Sequence, residues 1–67
     1  MTTDLDFTSD RVKRIRVALG ITQAEFGKLL GVVENMVSRY ERGETTPTQA
    51  RVLKALLEVE AEVADAI

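Results

Sequence analysis

Residues 20–47 read GITQAEFGKLLGVVENMVSRYERGETTP, and this stretch decides the fold. Thr22 is a good N-cap, and Glu25 stands three residues on, the spacing of a capping box. From Thr22 the apolar residues Phe26, Leu29 and Leu30 fall at helical spacing. Gly31 takes positive φ at little cost and closes the run. A second helical run follows, with Val33, Val37 and Tyr40 on one face, and Gly43 ends it. Gly20, between Leu19 and Ile21, closes the helix that precedes the stretch. Thr46 and Pro47 restart the chain as N-cap and first helical residue. Two helices so close in sequence must cross steeply, which is the helix-turn-helix arrangement. Such a unit sets one helix into the DNA major groove.

Outward from this stretch, the N-terminal side predicts an acidic mobile arm over residues 1–7. A first helix is capped by Thr8, with Phe7 packing on Val12 as a hydrophobic staple. That helix runs to about Leu19, buries Val12, Ile15 and Leu19, and carries Arg11, Lys13, Arg14 and Arg16. The second and third helices are expected at about Gln23–Leu30 and 34–42. A fourth begins near Pro47 with Ala50, Leu53, Leu56 and Leu57 inward. Residues 8–57 thus form the helix-turn-helix domain. Beyond it the helical pattern continues: Val52, Leu56, Val59 and Val63 recur at spacings of 4, 3 and 4, and Ile67 adds one more turn. Nothing in 48–67 is Gly or Pro, so one long helix or a fourth and fifth helix fit equally. The fold class is therefore all-α, a compact four- to five-helix bundle. The stripe Leu56, Val59, Val63 and Ile67 reads as a dimer interface in the extension 58–67. The other reading is that these residues fold back over the same small core.

The chain has 67 residues, the size of one domain. A core this small stabilises little, so an additional source of stability is expected. Neither cysteine nor histidine is present, so no disulfide, thiolate or imidazole metal site and no imidazole acid-base chemistry is expected. No apolar run approaches the ~20 residues that span a bilayer, and no signal peptide is visible. The expectation is a cytoplasmic protein without membrane attachment, cofactor or metal. The net charge of −2 conceals a division: residues 11–57 hold nine bases against four acids, a balance of +5, whereas 1–10 and 58–67 hold acids only. A basic centre is the electrostatic footprint of nucleic-acid binding. Bases that merely solvate helix surfaces give the same count. The acidic ends reduce non-specific affinity for phosphate.

The combination TQAE, LLG, SRYE, RGE and Pro47 resembles the Cro/cI-type (XRE-like) helix-turn-helix family over roughly residues 11–57. The region NMVSRYERGET is also similar to the C-terminal domain of MqsA/YgiT-type antitoxins, whose zinc domain this chain lacks. Two residues depart from the family pattern. Val33 stands where a Ser usually caps the third helix, a loss of about 1 kcal/mol. Gly27 stands where Ala is usual, which weakens the second helix by up to ~1 kcal/mol or lets it pack closely.

If Val33, Val37 and Tyr40 face inward, the opposite face of the third helix shows Glu34, Asn35, Ser38 and Arg39. Arg39 can bond guanine O6 and N7 together, and Asn35 adenine N6 and N7. The resemblance implies base contacts at these two positions. The structural alternatives are an ion pair of Arg39 with Glu34 or Glu41, and a local cap by Asn35. Glu34 can accept from cytosine N4, but its charge at a helix N-terminus is the preferred reading. Met36 sits between the faces. Gln23 and Thr22, at the start of the second helix, and Arg42, Thr45 and Thr46, after the third, are the expected phosphate contacts. The resemblance also implies a structural ion pair between Arg16 and Glu41.

The leading reading is a sequence-specific regulator of transcription. On this reading it is a dimeric repressor that binds a palindromic operator on double-stranded DNA, with autoregulation of its own phage or bacterial operon as a further expectation. The competing reading is an antitoxin or adaptor that holds a protein partner through the acidic C-terminal helix. An enzyme is not expected, because no nucleophile–base pair, phosphate-cradling loop or metal cluster is present.

Overall fold

A computed structural model describes residues 6–64 of the chain. It contains four helices: α1 (Ser9–Leu19), α2 (Gln23–Leu30), α3 (Glu34–Arg42) and α4 (Ala50–Glu62). No strand occurs among the described residues. The helix ends follow from local chemistry. The Thr8 hydroxyl accepts the Arg11 N–H at 3.3 Å and starts α1. Thr22 and Glu25 form a reciprocal capping box at the start of α2. Helices α1, α2 and α3 each stop at a glycine in the left-handed region, Gly20, Gly31 and Gly43, with φ of 71°, 78° and 77°. That conformation is strained for any residue with a Cβ.

Helix α3 packs chiefly on α2 and α1, and α4 lies across α2 and α1. They enclose one core of Phe7, Val12, Ile15, Phe26, Leu30, Val37, Tyr40, Val52, Leu56 and Val63. Gly27 lies where α2 meets the turn before α3. A Cβ there would sit 2.7 Å from the Val32 carbonyl oxygen. The close approach brings the Val32 N–H to the Gly27 carbonyl at 2.9 Å and sets the tight turn between α2 and α3.

Several expectations are corrected. Phe7 belongs to the core, 1 % exposed, and not to a mobile arm. It shares the core with Val12, and residues 1–5 of the expected arm lie outside the described residues. The fourth helix starts at Ala50 with Gln49 as N-cap, not at Thr46–Pro47. Pro47 is buried in the connection instead. In α4 Leu56 is buried and Leu53 and Leu57 pack partly buried against the core, but Val52 is the other fully buried residue and Ala50 is exposed. Val33 is 70 % exposed and Leu29 54 %, so neither lies in the core.

The stripe on α4 also has a different role. Leu56 and Val63 are core residues, and Val59 packs against them partly buried. A domain this small has one core, and α4 lays the stripe on it up to its C-cap Val63, whose N–H reaches the Val59 and Glu60 carbonyls at 3.2 Å. Leu56 and Val63 are thus not an exposed seam for a second chain. Ile67 lies outside the described residues. Helix α4 ends at Glu62, and no fifth helix follows among the described residues.

Candidate nucleic-acid interface

The interface is built on α3, which is held rigidly from behind. Val37 is fully buried and Tyr40 is 6 % exposed, one turn apart on the inner face. Burial pushes the Tyr40 phenol up from its ordinary pKa, with Arg51 opposing, so it stays protonated.

A polar node fixes the C-terminal end of the same helix. Arg16 donates from Nε to Glu41 Oε2 at 2.6 Å and from Nη2 to Oε1 at 3.1 Å. Its Nη1 donates to the Ile21 carbonyl at 2.9 Å. Gln23 Nε2 donates to Glu41 Oε1 at 3.1 Å. One carboxylate thus ties α1, the start of α2 and the end of α3. Burial pushes the Glu41 carboxyl up, but hydrogen bonds from Arg16 and Gln23 and the charges of Arg16 and Lys13 outweigh it, and the carboxyl titrates below its ordinary value. This geometry sets the angle between α2 and α3.

The outer face of α3 carries Glu34, Asn35 and Arg39, all exposed, and Ser38, half-buried. Asn35 and Arg39 are four residues apart and so stand one above the other on a helix surface. Arg39 has no ion pair with Glu34 or Glu41. Its Nε lies 3.8 Å from Glu44 Oε1. Glu34 sits in the first turn of α3, which has no side-chain cap because Val33 occupies the N-cap. Its charge there complements the helix dipole. Met36 packs partly against the core.

The candidate phosphate contacts divide into two groups. Thr22 spends its hydroxyl on the capping box, and Gln23 spends one amide hydrogen on Glu41. The second amide hydrogen of Gln23 and the first-turn backbone amides of α2 remain the donors at this end. At the other end, Thr45 and Thr46 border a cleft of about 490 Å³ that Lys28, Met36 and Arg51 also line. The Arg51 guanidinium lies over Gly31, with Nη1 3.0 Å from the position a Cβ would take there. Arg42 does not point into this cleft's lining. It donates to Glu44 at 2.8 and 3.2 Å and to Ser38 Oγ at 2.7 Å. Sequence reading missed Lys28 and Arg51, because no spacing links a residue at the end of α2 to one at the start of α4.

A stiffly held helix with an outward polar face, next to a tight turn and a basic cleft, has the geometry of a groove-reading unit. The helix-turn-helix family profile matches residues 12–57. The chain belongs to the Cro/cI-type helix-turn-helix family. Its domain is therefore a DNA-binding regulatory domain. The matched range of this Cro/cI-type domain takes in α2 and α3 with the tight turn between them. No curated protein and no solved structure shows a significant match to the chain. No helix among the described residues is long and apolar enough to cross a membrane.

Proposed function

We propose that the protein is a sequence-specific transcriptional repressor that binds a two-fold operator as a dimer, with α3 in the major groove. One observation carries this reading. Asn35 and Arg39 project from a helix whose opposite side is locked by Val37, Tyr40 and the Arg16–Glu41–Gln23 node. Such preorganisation lets two side chains meet neighbouring base pairs without the further cost of ordering the helix that carries them. Gln23 and the α2 amides on one side, and Thr45, Thr46 and Arg42 on the other, supply the phosphate grip that fixes register. The acidic termini keep non-specific binding low, so occupancy depends on bases. Repression follows from covering a promoter in the compartment that holds the DNA.

One α3 reaches only a few base pairs, so a dimer with half-sites about 34 Å apart is part of the reading. The end of α4 is the proposed seam, where Val59 keeps a partly exposed edge. The adaptor alternative is less well supported. It needs the acids and apolar stripe of the C-terminal helix, and Glu60 is taken by Arg11 while Val63 is taken by the core.

The test is binding of wild type and Arg39→Ala to duplex from the gene's own upstream region, with random duplex as competitor, at two salt concentrations. Tight binding that resists competitor in wild type and weakens by ~1–3 kcal/mol in the variant fits the reading. Weak binding indifferent to Arg39 would sink it.

A further inference from the structure

Glu44 is the structural feature that DNA reading leaves unexplained. It lies just past Gly43, and its backbone is fixed: the Glu44 N–H reaches back to the Arg39 carbonyl at 3.0 Å, closing the end of α3. The turn therefore fixes where its side chain leaves the backbone. There one carboxylate meets both arginines of the outer face of α3. It accepts from Arg42 Nε at 2.8 Å and Nη2 at 3.2 Å, and lies 3.8 Å from Arg39 Nε. All three side chains are about half exposed, so the cluster meets solvent and any docking polyanion. The pairing also lays Arg42 back along α3, where Nη1 donates to Ser38 Oγ at 2.7 Å. In this position Arg42 has its fork filled.

A carboxylate that fills an arginine fork offers it the same paired oxygens as a phosphate. On this basis, and resting on the DNA-binding reading above, we propose that Glu44 is an internal counter-anion that DNA phosphate must displace from Arg42. It withholds one phosphate contact from non-specific DNA and so makes occupancy depend on the bases that Arg39 and Asn35 meet. Its role is positioning: it acts through Arg42 and not by touching DNA.

The proposal is tested with a random-sequence duplex, measuring affinity at two salt concentrations a factor of four apart. The proteins are wild type, Glu44→Gln, Arg42→Gln and the double variant. Glutamine keeps the length and backbone of the cap and removes the charge. With Arg42 released, one more phosphate is neutralised, so the same rise in salt costs Glu44→Gln about 3- to 4-fold more affinity than it costs wild type. In the Arg42→Gln background the Glu44 substitution leaves the salt slope unchanged. An equal change of slope with and without Arg42 would mean that Glu44 acts only as a distant charge, and would overturn the proposal. So would an unchanged slope in Glu44→Gln, and in that case wild-type binding to upstream duplex leaves the DNA-binding reading intact. Failure of all four proteins to bind any duplex at low salt overturns both.

Discussion

The guanidinium of Arg11 grips the carboxylate of Glu60 through two hydrogen bonds, 2.8 Å from Nε and 2.6 Å from Nη2, across 49 positions of sequence. The same guanidinium covers the Phe7 ring, 3.9 Å from its centroid. One residue of α1 thus secures both the start of the domain and the last turn of α4. Cation–ring contacts of this kind add about 0.5–2 kcal/mol, more as they are desolvated. This is the kind of additional support a core this small requires.

Arg16→Ala leaves the Glu41 carboxylate, whose side chain is 5 % exposed, without its main partner. Removing one member of a partly buried pair strands the other, at a cost of about 1–3 kcal/mol, the penalty of leaving a hydrogen-bonded group without its partner. The expected result is a large fall in melting temperature, read by circular dichroism. A smaller fall is expected for Gln23→Ala, which removes one hydrogen bond, about 1 kcal/mol. An unchanged melting temperature in Arg16→Ala would show that the node does not hold the helices.

Acid should destabilise the fold through the same carboxylates. Burial raises the Glu41 pKa, but Arg16 and Gln23 bring it below the ordinary range. The Arg11 hydrogen bond holds Glu60 below that range against a smaller effect of burial. The folded state therefore binds fewer protons than the unfolded chain, whose glutamates titrate near pH ~4.3. The resulting stability is fully present above that value and is lost as pH falls through it toward the folded pKa. Melting temperature should be level near neutrality and fall below about pH 4.3, with a shallower fall in Glu60→Gln.

Gly27→Ala should destabilise although alanine is the better helix former by ~1 kcal/mol. The added Cβ would lie 2.7 Å from a backbone oxygen that cannot swing away. Relieving such a clash in a packed site costs ~1–3 kcal/mol. Chemical denaturation decides the sign, and a stabilised variant would mean that the turn yields easily.

Val33→Ser should stabilise the domain. Val33 is 70 % exposed, so its removal uncovers little, and α3 has no side-chain cap at this N-cap position. A serine there gains about 1 kcal/mol. Denaturant midpoints report it directly, and no gain would indicate that another group already satisfies the first-turn amides.

Val59→Lys tests the proposed seam. If the end of α4 dimerises the protein, sedimentation should give monomers and binding to upstream duplex should weaken. A dimer that persists would put the seam elsewhere on the surface.

The first three helices were legible from local chemistry: Thr8, Thr22 and Glu25 mark the starts of α1 and α2, three glycines mark the stops, and the start of uncapped α3 follows from the turn at Gly31. The start of α4 was not. Thr46–Pro47 carries an N-cap signature, but Pro47 lies buried in the connection and the helix starts three residues later at Ala50. Periodicity identified Val52, Leu56, Val59 and Val63 as one face without saying what covers it, because period alone is the same for a dimer seam and for a chain's own core. The Arg11–Glu60 and Arg42–Glu44 pairs had no signal either. The first joins residues far apart in sequence, and the second depends on where the turn at Gly43 sends the next side chain.

Glu34 and Asn35 stand on the outside of α3, while everything that holds the helix in place lies on its other side or at its end. Asn35 stands apart from that support, whereas Glu34 also complements the helix dipole. On the proposed reading, exchanging Asn35 and Arg39 would change operator preference through two codons while the packed inner face of α3 is carried over.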